Sequence, residues 1–261
     1  MPELIEVEGY RRQARAALGR RIAGVDAPDL WFLKGGVGPD AVREALVGRR
    51  FERDRRIGKL LLLDTDGGGP TLGLRFGMTG RLLIDGDSTI DKLEYASGRA
   101  ESAWDRFTVR FDDGGELRIN DARRLGAVEL DPDETRLGVD ATTITLAQLG
   151  AVLGASAAPL KARLMDQARI AGLGNLLTDE TLWRAGLDPA RPAGSLSPAE
   201  RRRLHRHLRR TLDELTARGG SHTGELQVAR ARGASCPKDG APLLRRTIGG
   251  RTTYSCPRHQ T

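Results

Sequence analysis

The sequence predicts an α+β protein. A β-rich N-terminal half, built as a sandwich or barrel, precedes a helical half that ends in a small β-hairpin finger. Three observations carry this. Short runs that alternate apolar and polar residues, separated by glycine-rich turns, fill roughly the first 130 residues. Helical periodicity replaces that pattern in the second half. The last 33 residues are rich in glycine and arginine and carry two Cys-Pro turns, at Cys236 and Cys256.

Taken in order, residues 3–18 read as an amphipathic helix, with Leu4, Val7, Ala14 and Leu18 at near-helical spacing and Gly19 as the stop. Lys59–Asp64 reads as a strand closed by the turn formers Asp66-Gly67-Gly68-Gly69-Pro70, and Thr71–Ile84 as a second strand-rich stretch. Phe107, Val109 and Phe111 alternate with polar residues. Asp112-Asp113-Gly114-Gly115 then turns the chain, and Leu117 and Ile119 continue the alternation, which is a hairpin pattern. Pro159–Gln167 and Leu176–Ala185 read as helices joined by a glycine turn at Ile170–Asn175, with Gly186 and Pro189 as stops. Ser197-Pro198-Ala199-Glu200 is a capping box with proline at the first helical position. Leu204, Leu208, Leu212 and Leu215 form the buried stripe of the long helix that follows. Arginines at 201, 202, 203, 206, 209 and 210 face outward, and His205 and His207 are read as surface residues rather than ligands.

Of the 261 residues, 39% are hydrophobic and 30% charged, which fits a soluble globular protein. No apolar run approaches the roughly 20 residues that span a bilayer. The N-terminus carries acids where a secretion signal needs an apolar core, so the expected location is cytoplasmic. The net charge of +7 is unevenly distributed. Ala151–Thr261 holds 19 Lys and Arg against 9 Asp and Glu, whereas the first 150 residues hold 23 against 26. That asymmetry places a candidate phosphate-binding surface mainly in the C-terminal half. Aromatic residues make up only 4%, so stacking of single-stranded bases is not expected to dominate binding.

The chemistry begins at Met1-Pro2-Glu3. Methionine before a small residue is usually removed, which leaves Pro2 with a free secondary amine. An α-amino group has a pKa of about 7.7–8.0 against about 10.4 for lysine, so roughly a tenth is neutral and nucleophilic near neutral pH. Such an amine can attack C1′ of a deoxyribose and form an iminium, which acidifies C2′ for elimination of the 3′ phosphate. Glu3 beside it can act as general acid and base.

Met1 through Glu8, MPELIEVE, resembles the start of the formamidopyrimidine-DNA glycosylase/endonuclease VIII family, with Ile5 in place of a proline. Further motifs follow in family order. Arg55-Arg56-Ile57-Gly58-Lys59 precedes a leucine run. Gly77-Met78-Thr79-Gly80 and Asp121-Ala122-Arg123-Arg124-Leu125-Gly126 follow. Leu164–Gln167 leads into Ile170–Asn175, and Glu225–Val228 precedes the finger. The resemblance implies an N-terminal β-sandwich with flanking helices (1–131), a linker (132–145), a helix–two-turn–helix domain (146–228) and a finger (229–261). It implies that Pro2, Glu3 and Lys59 are catalytic. It also implies that Met78, Arg123 and Leu125 fill the gap left by a flipped nucleotide, and that Lys161, Asn175 and Arg251 contact phosphates, with the DNA in the cleft between the domains. Asn175 is also expected to cap its helix.

The finger reads Cys236, two residues, Asp239, sixteen residues, Cys256, two residues, His259. This spacing equals the family's four-cysteine zinc finger, with Asp239 and His259 at two cysteine positions. Zinc accepts all three ligand types, so one Zn2+ per monomer is expected, with a zincless finger held by hairpin packing as the alternative. Family membership implies a monomeric, bacterial, nucleoid-associated base-excision-repair glycosylase and AP lyase acting on double-stranded DNA, with no membrane partner. Leu125 stands where the formamidopyrimidine branch has phenylalanine, and only Ser-His-Thr-Gly separates Gly220 from Glu225, where members that cap 8-oxoguanine carry a longer loop. Oxidised pyrimidines, ring-opened purines and bare AP sites are therefore the expected substrates. The alternatives are an AP lyase that removes no base and a noncatalytic binder of damaged DNA.

Overall fold

The computed structural model describes residues 2–90, 93 and 101–261. Met1, whose removal frees the expected nucleophile, lies outside them. The chain divides into two compact units, Met1–Glu134 and Thr135–Thr261.

The first unit opens with helix α1 (Leu4–Ala14), whose capping box pairs Glu3 with Glu6 and which a 3-10 turn prolongs to Ala17. Ile5 lies buried inside the first turn and the helix starts normally, so its replacement of proline leaves the helix start intact. Helix α2 (Pro39–Leu46) follows β1 (Ile22–Asp26) and buries Val42 and Leu46. Seven further strands follow: β2 (Phe51–Ile57), β3 (Leu60–Thr65), β4 (Thr71–Arg75), β5 (Arg81–Ile84), β6 (Asp105–Phe111), β7 (Glu116–Asn120) and β8 (Ala127–Leu130). They form two antiparallel four-stranded sheets, in the orders β1-β6-β7-β5 and β2-β3-β4-β8. One hydrophobic cluster joins Val25, Val109, Leu117 and Ile119 of the first sheet with Leu61, Leu63, Leu72, Leu74 and Val128 of the second, as in a two-layer sandwich. The expected hairpin pairs Val109 with Leu117 and Phe107 with Ile119. Leu60–Leu63 do not alternate because all four are fully buried, which requires cover on both faces of β3.

Residues 132–145, which run from the end of the first unit into the second, are more than a connection. They contain β9 (Val139–Asp140), paired in parallel with β10 (Ile170–Ala171). Four helices follow: α3 (Leu146–Leu153), α4 (Leu160–Met165), α5 (Asn175–Ala185) and α6 (Pro198–Ala217). Helix α6 starts at the Ser197/Glu200 capping box and buries Leu204, Leu208, Leu212 and Leu215. Two of its outward arginines are tied down locally, Arg201 to the carbonyl of Leu196 and Arg209 to that of Thr142. His205 contacts the carbonyl of Ile144 at 2.8 Å. The finger is the hairpin β11 (Leu244–Ile248) and β12 (Arg251–Ser255). Among the described residues no helix is long and apolar enough to cross a membrane.

Candidate active site and metal centre

Pro2 and Glu3 are buried at the head of α1, Glu3 completely. The Glu3 backbone N–H donates to the Glu6 carboxylate at 2.8 Å, which fixes the chain direction there. The Glu3 carboxylate in turn accepts the backbone N–H of Glu6 in the capping box, a partner that a buried carboxylate needs. Tyr10 on the same helix stacks on Phe76 with ring centroids 4.5 Å apart, and its hydroxyl donates to the carbonyl of Gly80 at 3.2 Å. The helix that presents Pro2 and Glu3 is therefore fastened to the loop that carries Met78.

Lys59 is not on a strand. It occupies the two-residue turn Gly58-Lys59 that closes the β2–β3 hairpin, where Ile57 pairs with Leu60 and Gly58 takes φ +57°. Glycine at this position lets the hairpin close tightly and aims Lys59 from its tip. Arg56 anchors the turn by donating to Gly58 O at 2.8 Å and to Glu8 at 3.2 Å on α1. Burial alone would raise the Glu8 carboxyl. Hydrogen bonds and charge from Arg11 and Arg56 outweigh it and hold Glu8 at about 2. A depressed carboxyl stabilises the fold above its ordinary range, and that stabilisation is lost as pH falls from about 4.5 to about 2. Glu8→Gln should accordingly be less stable than the parent at pH 6, with the gap closing toward pH 2. Urea unfolding of both proteins across that range checks it, and a gap independent of pH contradicts it.

Met78, Arg123 and Leu125, the residues expected to act as a wedge, sit on two loops bound together by one buried side chain that sequence reasoning missed. Asp121 is fully buried. Its carboxylate accepts Thr79 Oγ1 at 2.5 Å and the backbone N–H groups of Arg123, Leu125 and Gly126 at 3.2, 2.9 and 2.8 Å. Four donors satisfy a buried charge and set the shape of the loop at once. The loops also touch through their backbones: a Cβ on Gly77, whose φ is +56°, would lie 2.3 Å from the Leu125 carbonyl carbon. Arg123 and Leu125 are exposed and Met78 half-buried. The one hint in the sequence was an acid at the start of a loop rich in arginine and glycine.

In the second unit, Gln167 shapes the glycine turn. Its amide donates to Met165 O at 2.7 Å and Leu173 O at 2.9 Å and accepts Gly172 N–H at 3.0 Å. Asn175 does not cap α5. Gly174 is the N-cap without a side-chain cap, and Asn175 is the first helical residue, half-buried, with its Oδ1 enclosed and lacking a hydrogen-bond partner. Backbone N–H groups at this helix start suit an anion. The expectation that Lys161 contacts phosphate is corrected. Its side chain is fully buried, with Nζ 2.7 Å from Asp179 and donating to Thr253 Oγ1 at 2.8 Å. An ammonium inside the protein needs a counter-charge more than an exposed one does, and Asp179 supplies it while also pairing with Arg230. Lys161 thereby locks the finger strand onto α4. Arg251 is exposed at the start of that strand, after the turn Gly249-Gly250, whose first glycine packs against Ala162.

Cys236, Asp239, Cys256 and His259 converge, their ligand atoms lying within 4.8 Å of one another. Bonds of about 2.0–2.3 Å to a tetrahedral ion require ligand–ligand edges of about 3.3–3.8 Å. His259 Nδ1 lies 3.8 Å from Cys236 Sγ, and Cys256 Sγ lies 3.3 and 3.4 Å from the Asp239 oxygens. His259 Nε2 lies 3.2 Å from the Trp183 carbonyl, and Nδ1 lies 2.9 Å from Asp239 Oδ2, which turns Nδ1 into the cluster. The convergence of two thiols, a carboxylate and an imidazole is a donor set that fits zinc. The Trp183 indole N–H donates to Cys236 Sγ at 3.3 Å and orients it within the cluster. A backbone hydrogen bond from Ala241, then the His259 contact, keep Asp239 well below the usual carboxylate range.

Two family models match the chain: the formamidopyrimidine-DNA glycosylase N-terminal domain over residues 1–128 and the formamidopyrimidine-DNA glycosylase H2TH domain over residues 137–226. The formamidopyrimidine-DNA glycosylase of Paracoccus denitrificans is 37% identical, covering 98% of this chain and 99% of its own length. The Lactococcus lactis formamidopyrimidine-DNA glycosylase, solved non-covalently bound to AP-site DNA, is 26% identical with a TM-score of 0.84 over 100% of both chains. The same enzyme in complex with DNA containing an oxidized pyrimidine is 25% identical with a TM-score of 0.83 and the same coverage.

Proposed function

The chain belongs to the formamidopyrimidine-DNA glycosylase family, and from that premise we propose that it excises oxidised pyrimidines and ring-opened purines from duplex DNA and then cuts the strand through Pro2. The observation that carries the proposal is the burial of Pro2 and Glu3 on a helix fastened through Tyr10 to the Met78 loop. The contact of Tyr10 with Gly80 supports a reading in which Pro2, Glu3 and the Met78 loop act together.

The steps follow from these groups. Met78, Arg123 and Leu125 enter the stack and offset part of the unstacking cost of a flipped nucleotide, a few kcal/mol per step. The neutral amine of Pro2, freed of Met1, attacks C1′. The N-glycosyl bond breaks, and the base leaves with the bonding pair and a proton. Glu3 protonates the ring oxygen, which opens the sugar and leaves an iminium between Pro2 and C1′. Loss of a C2′ proton then expels the 3′ phosphate, and water releases Pro2. Lys59 sits on its hairpin tip as a cation for a phosphate or for charge developing near the amine. Arg251 and the α5 N-terminus around Asn175 take further phosphates. Bound zinc would supply structural cross-linking of the finger that holds Arg251.

The substrate reading rests on the segment after α6. Ser221–Thr223 is a single 3-10 turn, closed by a Thr223 hydroxyl bond to Gly220 O at 2.7 Å. The next residues are pinned to α5, where buried Glu180 accepts the N–H groups of Glu225 and Leu226 at 3.1 and 2.9 Å. A turn this short and anchored leaves no loop to close over a flipped 8-oxoguanine. The relatives are bacterial proteins, in keeping with a cytoplasmic enzyme.

Duplexes carrying thymine glycol, 5-hydroxyuracil, 8-oxoguanine or a single AP site provide the test. The oxidised pyrimidines should be excised at least tenfold faster than 8-oxoguanine, and borohydride should trap a covalent adduct on the AP duplex. Trapping by Pro2→Gly equal to the parent overturns the nucleophile. Cleavage of the AP duplex alone leaves an AP lyase that removes no base.

A further inference from the structure

We propose that Trp31 is a DNA-contacting residue that stacks on a base exposed at the lesion; the proposal rests on the glycosylase reading above. Leu30 and Trp31 are 68% and 66% exposed, the two most exposed large apolar side chains of the first unit among the described residues. Water-exposed indole costs free energy unless something covers it, and a rigid exposed indole is a common binding anchor.

The side chain is not on a loose loop. Trp31 lies in the 3-10 turn Leu30–Phe32, capped by Asp29, which accepts the Trp31 N–H at 3.1 Å. Asp29 is in turn held by a two-pronged ion pair from Arg124, at 2.6 and 2.7 Å. Arg124 belongs to the loop of Arg123 and Leu125 and sits at φ +55°, a left-handed conformation unusual for arginine. Phe32, fully buried, packs on the same loop: a Cβ on Gly126 would meet its ring at 2.7 Å. The Trp31 turn and the wedge loop therefore form one rigid piece, and the wedge loop is itself joined to the Met78 loop through Asp121.

Charge chooses the occupant. Lys34 Nζ stands 4.2 Å from the Trp31 ring centroid and donates to the Trp31 carbonyl at 2.5 Å. Arg123 and Arg124 are exposed on the neighbouring loop, and Asp29 offsets one of these cations. An aromatic ring with Lys34 against it and further arginines on the adjoining loop suits a polyanion whose bases offer π surfaces. The wedge loops themselves hold no aromatic ring among Met78, Arg123 and Leu125, so Trp31 supplies the stacking surface that they lack.

Equilibrium binding of the full-length protein to a duplex with one tetrahydrofuran AP analogue, and to the undamaged duplex, tests this by anisotropy alongside tryptophan emission. Trp31→Ala should bind the AP duplex roughly five- to thirtyfold more weakly. The undamaged duplex should lose less than about threefold, and Trp31→Phe should recover most of the affinity. Emission of the parent should be quenched by the AP duplex, and most of that quenching should vanish in Trp31→Phe, where Trp104 and buried Trp183 remain. Equal affinities for parent and Trp31→Ala overturn the proposal, as do equal losses on both duplexes. Quenching that persists in Trp31→Phe also overturns it, even if the alanine variant misfolds. A parent protein that does not prefer the AP duplex refutes the glycosylase reading instead, and the stacking proposal with it.

Discussion

Glu3→Gln should reduce single-turnover excision of the best base substrate by about 10²–10⁴-fold, the range for loss of a positioned acid or base. Glutamine keeps the size of the side chain and an oxygen able to accept, so the capping box at the head of α1 retains an acceptor. What it cannot do is exchange a proton with the ring oxygen or with C2′. Glu3 is fully buried, so bulk water is poorly placed to replace it. Rates measured with enzyme in excess separate this from changes in binding. A loss below about tenfold would remove Glu3 from the proton-transfer steps. The same variant should show a thermal midpoint close to the parent, because glutamine keeps the oxygen that accepts the capping-box N–H of α1.

The second large effect is expected from the finger. Metal analysis of chelator-free protein should give close to one equivalent of zinc, and less than a few tenths removes the zinc assignment. Cys256→Ala, or chelation of the parent, should cost tenfold or more in DNA affinity and expose the hairpin to amide exchange. The reasons are structural. Cys256 is fully buried, its N–H bonded to Gln260 at 2.7 Å, and its thiol shares the Asp239 carboxylate with His259. Burial raises the thiol's pKa, and a bound dication reverses that preference because the thiolate is the ligand. With the metal absent, the finger loses the cross-link among Cys236, Asp239, Cys256 and His259, and the strand bearing Arg251 is left to contacts such as Lys161 with Thr253 and the Tyr254 N–H with Asp179. Metal binding energy is then folding energy for this hairpin. A variant that binds DNA as the parent does, with amide protection unchanged, would favour a finger held by packing alone.

Much of this was legible in the residues in order. Alternation at Phe107, Val109, Leu117 and Ile119 predicts the hairpin that forms. The Ser197–Glu200 box and the leucine stripe predict α6, and the spacing from Cys236 to His259 predicts four ligands that do converge. These features are local: a cap, a period or a pair of turns needs only neighbours a few residues away. Membership of the family follows from motifs in order and was open to reading before any coordinate.

The tertiary structure decided what depends on partners far along the chain. Lys161 became a buried clamp because Asp179 and Thr253 arrive beside it, one 18 residues away and the other 92. Lys59 moved to a hairpin tip because Ile57 pairs with Leu60. Asp121 became the hub of two loops because Thr79 reaches it from 42 residues upstream. Trp31 stayed at the surface, tied to the wedge loop by an aspartate 95 residues before its arginine. A charge looks the same in sequence whether it faces water or a counter-ion, and an indole reads as core until the packing leaves it out. Local periodicity determined the fold class, and motifs in order the family. Long-range pairing of charges and the exclusion of water determined which of the named residues can face a DNA phosphate and which hold the others in place.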